Sequence, residues 1–226
     1  MRKLILSVLM LVLALVVNAQ TSRPSVTIFG DSYSTFEGYL TPDTMETWYF
    51  DGQTKNRTDV VQVSQTWWWQ LIKQKDWKLE TNNSWSGSTI CNTGYGDTDA
   101  TYKSFVSRVP YLGRPDIILI FGATNDAWAN VPLGEFMYKD WRRADLYCFR
   151  PAMAYLLTKI QDRYPTADVY FISNCDLKES VTQSVHQICK HYGVPVIQLQ
   201  GISKTSGHPN IEGMKQIADQ VAKAIK

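Results

Sequence analysis

The sequence is poor in the residues that build metal and redox centres. It holds three histidines and four cysteines, Cys91, Cys148, Cys175 and Cys189, in 226 residues. There is no CxxC pair and no spacing that matches a metal-ligand set, so neither a metal site nor a cofactor is expected. The cysteines read as structural, paired or free, because a chain of this length does not need disulfides to fold. Repeats, low-complexity tracts and charge blocks are also missing. Charge of one sign is not in excess: 23 basic residues face 21 acidic ones, and two of the basic ones, Arg2 and Lys3, lie in an N-terminal leader. The remainder is balanced, which excludes nucleic-acid binding through a globally basic surface.

Only one long apolar run occurs, Leu4 to Val17. It follows Arg2-Lys3 and is followed by Val17-Asn18-Ala19, small residues at the two positions that signal peptidases read. The run is short for a membrane span and leads into polar Gln20-Thr21-Ser22-Arg23-Pro24. The expectation is a signal peptide over 1–19 and one domain over 20–226. That domain is exported to the periplasm or the medium, without a stable membrane anchor after cleavage.

What the chain does have is an alternation of short apolar runs with helical patterns. Strands are expected at Ser25–Phe29, Trp77–Asn82, Asp116–Phe121, Asp168–Ser173 and Val194–Leu199. Helices are expected after a Ser64 cap, over Asp145–Tyr164, over Glu179–His191, and from an Asn210 cap through an apolar face ending at Ile225. Five strands separated by helices predict an α/β fold, a three-layer α/β/α sandwich around a five-stranded parallel sheet in flavodoxin-like order. Two connections, Tyr33–Val63 and Asp126–Arg143, exceed the usual length and are rich in aromatics.

The chemistry sits where those strands end. Gly30-Asp31-Ser32 follows the first, Asn83-Ser84-Trp85-Ser86-Gly87 the second, Gly122-Ala123-Thr124-Asn125-Asp126 the third, and Gly207-His208-Pro209-Asn210 the fifth. In an open parallel sheet these carboxyl ends share one edge, where ligands bind. A serine hydroxyl needs a neighbouring base to become a nucleophile. Of the three histidines, only His208 lies in a loop at that edge. The oxyanion formed by attack on an ester needs preorganised donors. The backbone N–H groups of Ser32 and Gly87 and the side-chain amide of Asn125 can supply three.

In these four blocks, from about Val26 to Pro209, the chain resembles the SGNH (GDSL-type) hydrolases. The resemblance implies a flavodoxin-like fold and ester hydrolysis through an acyl-enzyme, without metal or organic cofactor. Ser32 matches the nucleophile, Gly87 and Asn125 the oxyanion donors, and His208 the base. Two positions depart from the pattern. Ala123 stands where the third block carries glycine, and Thr205 stands where the last block carries the aspartate that orients the histidine. Three explanations stay open for Thr205: a dyad oriented by a hydroxyl or a backbone carbonyl, an acid supplied from a loop by Glu37, Asp43 or Glu46, or weakened catalysis. Asp31 and Asp126 read as residues that orient loop backbone, and Gly94 to Asp99 as a plain loop.

The expected activity is therefore that of an exported serine esterase acting on small acyl groups, above all acetyl groups on carbohydrate, with Trp48 and Trp128 bordering the substrate. The alternatives are a glycan-binding module that has lost turnover and a lipase or lysophospholipase.

Overall fold

The computed structural model describes residues 23–225; the expected leader lies outside them. Within that range no helix is long and apolar enough to cross a membrane.

Strand β1 (Ser25–Gly30) is buried along its whole length. Val26, Thr27, Ile28 and Phe29 are the β-branched and aromatic residues that suit a pleated surface covered on both sides. It ends at Gly30, where an added Cβ would lie 2.5 Å from Ser34 Oγ, so only glycine lets the chain turn there. Strand β3 (Ile117–Phe121) is likewise wholly buried. With β2 (Lys78–Ser84), β4 (Asp168–Ser173) and β5 (Val196–Gln198) these form a sheet in the order β2-β1-β3-β4-β5, every pair parallel. That is the flavodoxin-like order expected from the sequence.

Among the described residues six helices follow in chain order: α1 (Trp67–Lys75), α2 (Phe105–Arg108), α3 (Thr124–Ala129), α4 (Phe149–Arg163), α5 (Glu179–Tyr192) and α6 (Ile211–Ala224). Helices α1 and α6 pack with Val26, Ile28, Leu119 and Phe121 in one core layer. Helices α4 and α5 pack with Phe29, Ile118, Ile120 and Phe171 in the other. Side chains of alternate strand residues thus feed opposite layers, as a pleated strand requires. Trp67 and Trp68 are fully buried while Trp69 is half-buried, so two rings of the tryptophan triplet are core.

Several boundaries differ from the sequence reading. Thr66, not Ser64, caps α1, its hydroxyl accepting from Trp69 N–H; Ser64 lies in a preceding 3₁₀ turn. The helix expected over Asp145–Tyr164 is a 3₁₀ turn (Arg143–Tyr147) and then α4. They are separated by Cys148 in extended conformation, where the chain is held by Phe149 N–H donating to the Pro132 carbonyl at 2.8 Å. Strand β2 runs two residues beyond its expected end, to Ser84. All four cysteines are free thiols. The last two strands, β6 (Lys204–Thr205) and β7 (His208–Pro209), form a small antiparallel hairpin that the sequence reading did not contain.

Candidate active site

Ser32 opens a 3₁₀ turn directly after β1. The turn is capped by Asp31, whose side chain accepts from Tyr33 N–H at 3.0 Å. His208 arrives from the far end of the chain on β7. Its Nε2 stands 2.9 Å from Ser32 Oγ, across 176 positions of sequence. Both residues are buried.

The second imidazole nitrogen faces a backbone carbonyl rather than Thr205 or an acid. His208 Nδ1 lies 3.2 Å from the backbone carbonyl of Ser206. A carbonyl can only accept, so Nδ1 carries the hydrogen and Nε2 is left with the lone pair that faces the serine hydroxyl. Thr205 is not the orienting group: its hydroxyl lies 3.5 Å from Asn210 Nδ2 instead. The cause is the hairpin turn, where Ser206 and Gly207 both take positive φ (51° and 78°) and swing the Ser206 carbonyl back beneath the ring. Neither does a loop acid reach the histidine. Glu37 accepts from Asp51 N–H, Glu46 pairs with Lys103 at 3.0 Å, and Asp43 is exposed.

Two tyrosines hold the hairpin from the first long loop. The Tyr33 hydroxyl donates to the Gly207 carbonyl at 2.5 Å and the Tyr49 hydroxyl to the Pro209 carbonyl at 2.8 Å, one on each side of His208. Trp48 stacks flat on the imidazole, ring centroids 3.5 Å apart and planes 7° apart, while Trp128 meets it edge-on at 5.7 Å. Burial by these rings pulls the His208 pKa down to about 4; the Ser206 carbonyl opposes the shift and the Lys204 ammonium adds to it.

The two other expected oxyanion donors come from the segments that follow β2 and β3, the strands on either side of β1. Gly87 has φ +71°, a left-handed conformation that suits glycine. Asn125 lies in the first turn of α3, with Nδ2 donating to the Ser88 carbonyl at 3.0 Å and Oδ1 accepting from the Tyr95 hydroxyl at 2.7 Å. The departure at Ala123 has a physical side: Ala123 sits at φ +73°, the backbone state glycine adopts without strain and other residues adopt at a cost of roughly 1–2 kcal/mol. Asp126 accepts from the N–H groups of Ile90 and Cys91, which fixes the loop after Gly87. Burial lifts its pKa to about 6. Asp31 is lifted to about 7, chiefly by burial and further by Asp126, with Tyr33 N–H and Arg108 acting against.

Arg108 was not singled out from the sequence. It is buried between the rings of Phe29 and Phe105, 5.0 and 4.6 Å from their centroids. Its guanidinium donates to Gly30 O, to Asn83 O and Oδ1, to Ser88 Oγ and to Lys103 O. One side chain thus ties the ends of β1 and β2 to the loop carrying Gly87. Burial lowers its pKa to about 9, so it stays charged at neutral pH. Its partners Gly30, Asn83 and Ser88 lie 78, 25 and 20 positions away in sequence, which is why only the fold reveals it.

A serine hydroxyl hydrogen-bonded to a tautomer-fixed imidazole, beside backbone and amide donors at the carboxyl edge of a parallel sheet, is the arrangement of an acyl-transferring hydrolase. The sequence profile of the GDSL-like lipase/acylhydrolases matches residues 24–225, and the chain belongs to that family. Two similar crystal structures are described as GDSL-like lipases. One, from Bacteroides ovatus ATCC 8483, is 53% identical over 90% of this chain and 98% of its own, with a TM-score of 0.89. The other, from Bacteroides uniformis ATCC 8492, is 47% identical over 90% and 95%, with a TM-score of 0.88. A family two carbohydrate esterase from Clostridium thermocellum in complex with cellohexaose shares the fold at 16% identity, over 90% of this chain and 63% of its own, with a TM-score of 0.61. No curated protein matches.

Proposed function

We propose that this GDSL-like hydrolase is an exported serine esterase that removes small acyl groups, above all acetyl, from carbohydrate. The observation that carries the reading is the 2.9 Å contact between Ser32 Oγ and the lone-pair nitrogen of His208. Ser32 attacks the ester carbonyl while Nε2 takes its proton. The oxyanion is met by the Ser32 and Gly87 N–H groups and the Asn125 amide. The imidazolium then returns the proton to the departing sugar oxygen, and water repeats the sequence to release the acid. The Ser206 carbonyl sets the ring's tautomer but brings no full charge to stabilise the imidazolium. Carbohydrate as the alcohol is supported by the exposed rings beside His208 and Asn125, Trp128 and Tyr95, which offer flat apolar faces to a sugar. The expected leader supports a substrate outside the cytoplasm.

The missing carboxylate favours a second reading, a glycan-binding module without turnover. Covalent labelling by diethyl p-nitrophenyl phosphate, with acetate release from acetylated sugars and from long-chain lipid esters, separates the readings. The esterase reading expects labelling at Ser32, abolished in Ser32→Ala, with acetylated sugars preferred. Sugar binding unaffected by Ser32→Ala and no labelling would establish the module instead, and preference for long chains would make the protein a lipase.

A further inference from the structure

The loop Gly94-Tyr95-Gly96-Asp97-Thr98-Asp99 reads from sequence as a plain connection, yet it is built tightly and ends at the active site. Gly94 N–H donates to the Thr98 carbonyl at 2.8 Å. Thr98 Oγ1 donates to the Tyr95 carbonyl at 2.9 Å, and Thr93 bridges Asp99 at the loop's base. Thr93 Oγ1 also donates to the Tyr147 carbonyl at 2.7 Å, anchoring the base to the neighbouring segment. This scaffold does not serve the core: the Tyr95 side chain is 45% exposed. What it delivers is one hydroxyl, placed 2.7 Å from Asn125 Oδ1.

We propose that Tyr95 is a positioning residue for the oxyanion-binding amide, holding and polarising the Asn125 side chain during acyl transfer; this rests on Asn125 being an oxyanion donor. An amide nitrogen has two hydrogens. One Asn125 Nδ2 hydrogen goes to the Ser88 carbonyl, and the other is left for the substrate oxygen. The Ser88 carbonyl decides which end of the amide faces it, because a flipped Oδ1 there would oppose another acceptor. The Tyr95 hydroxyl then fills Oδ1. Donation into the amide oxygen draws electron density from the nitrogen and strengthens its remaining N–H as a donor, the cooperative effect of linked hydrogen bonds. The phenol keeps its proton for this task through the neutral range, since burial and then Asp31 and Asp126 push its pKa up to about 12.

The test is a double-mutant cycle of Tyr95→Phe and Asn125→Ala, read by p-nitrophenyl acetate turnover and by the rate of labelling with diethyl p-nitrophenyl phosphate. Phenylalanine keeps the ring and removes only the hydroxyl. Loss of a whole oxyanion donor costs about 10²–10³ in rate, so an aid to that donor is expected to cost about tenfold. Tyr95→Phe should lower kcat and labelling about tenfold with KM within twofold, and should change either less than twofold once Asn125 is alanine. An equal loss in both backgrounds assigns Tyr95 to loop structure and overturns the proposal. A harmless Tyr95→Phe beside a costly Asn125→Ala overturns it while leaving the oxyanion reading intact. A harmless Asn125→Ala overturns both.

Discussion

Acidifying the enzyme should reveal a base that gives up its activity unusually late. His208 must be neutral to accept the Ser32 proton, so kcat/KM should rise with pH along its titration in the free enzyme. Its pKa is pulled from 6.5 to about 4, a bias of about 3 kcal/mol against the imidazolium at 1.36 kcal/mol per unit. The cause is specific: Trp48 covers one face, Tyr33 and Trp128 approach by their edges, and no carboxylate lies at Nδ1. Acetate release from p-nitrophenyl acetate, followed by NMR between pH 3 and 8, is expected to give a single inflection for the histidine near 4. Lys204→Met should move it upward, because it removes an ammonium and leaves the Asp176 carboxylate, now 2.7 Å from that ammonium, without its partner. An inflection between 6 and 7 in the unaltered enzyme would refute the dry, acid-free base described here.

The fold should survive the measurement. His208 stays neutral in the folded state below the pH at which the unfolded chain takes up a proton. Its contribution to stability is therefore lost as pH falls from 6.5 to about 4. Asp31 and Asp126 work in the opposite direction. Their folded-state values, about 7 and about 6 against 3.8, mean that the folded chain holds protons the unfolded chain releases. They add stability as pH falls through that window, which offsets the histidine.

Two further changes probe the hairpin. Thr205→Asp restores the family's acid by position, but the carboxylate would stand where Thr205 Oγ1 now faces Asn210 rather than at Nδ1. The expected result is a raised pH inflection with kcat changed less than tenfold, and a gain of a hundredfold or more would show that the hairpin can place an acid after all. Tyr49→Phe leaves the buried Pro209 carbonyl without its donor, which should cost about 1–3 kcal/mol in urea unfolding; an unchanged midpoint would mean that Tyr49 does not hold the turn.

Continuous apolar runs made β1 and β3 legible as strands covered on both faces, and the alternation of strands with helices, together with the right-handed crossover rule, made the sheet order legible. Boundaries failed where a local bond outweighs periodicity, as at Cys148 between the 3₁₀ turn and α4. Ser32, Gly87, Asn125 and His208 could be placed at one edge because each follows a strand, and strand ends converge by topology alone. Trp48 and Trp128, read from sequence as loop aromatics at that edge, both pack against the base. Arg108, Tyr49 and Tyr95 were illegible as contributors, since each acts through one hydrogen bond or a few to backbone or amide groups distant in sequence. No spacing rule encodes such contacts.

The substitution at 205 and the aromatic packing around His208 belong to one physical problem. An imidazole without a carboxylate must still be held in one tautomer and one orientation. The Ser206 carbonyl supplies the tautomer, and the stacked Trp48 with the two tyrosine hydroxyls on the flanking carbonyls supplies the orientation. What they do not supply is charge. In a serine protease, replacing the triad acid by its amide costs about 10⁴ in kcat, much of it through the wrong tautomer. Here the tautomer is correct, so the penalty reduces to the unstabilised imidazolium. Burial by the surrounding rings lowers the pKa in the same direction, and no carboxylate is there to offset it. A variant that places a carboxylate at Nδ1 is therefore expected to raise both the inflection and kcat, whereas one that only changes the surrounding charge, as Lys204→Met does, is expected to move the inflection alone.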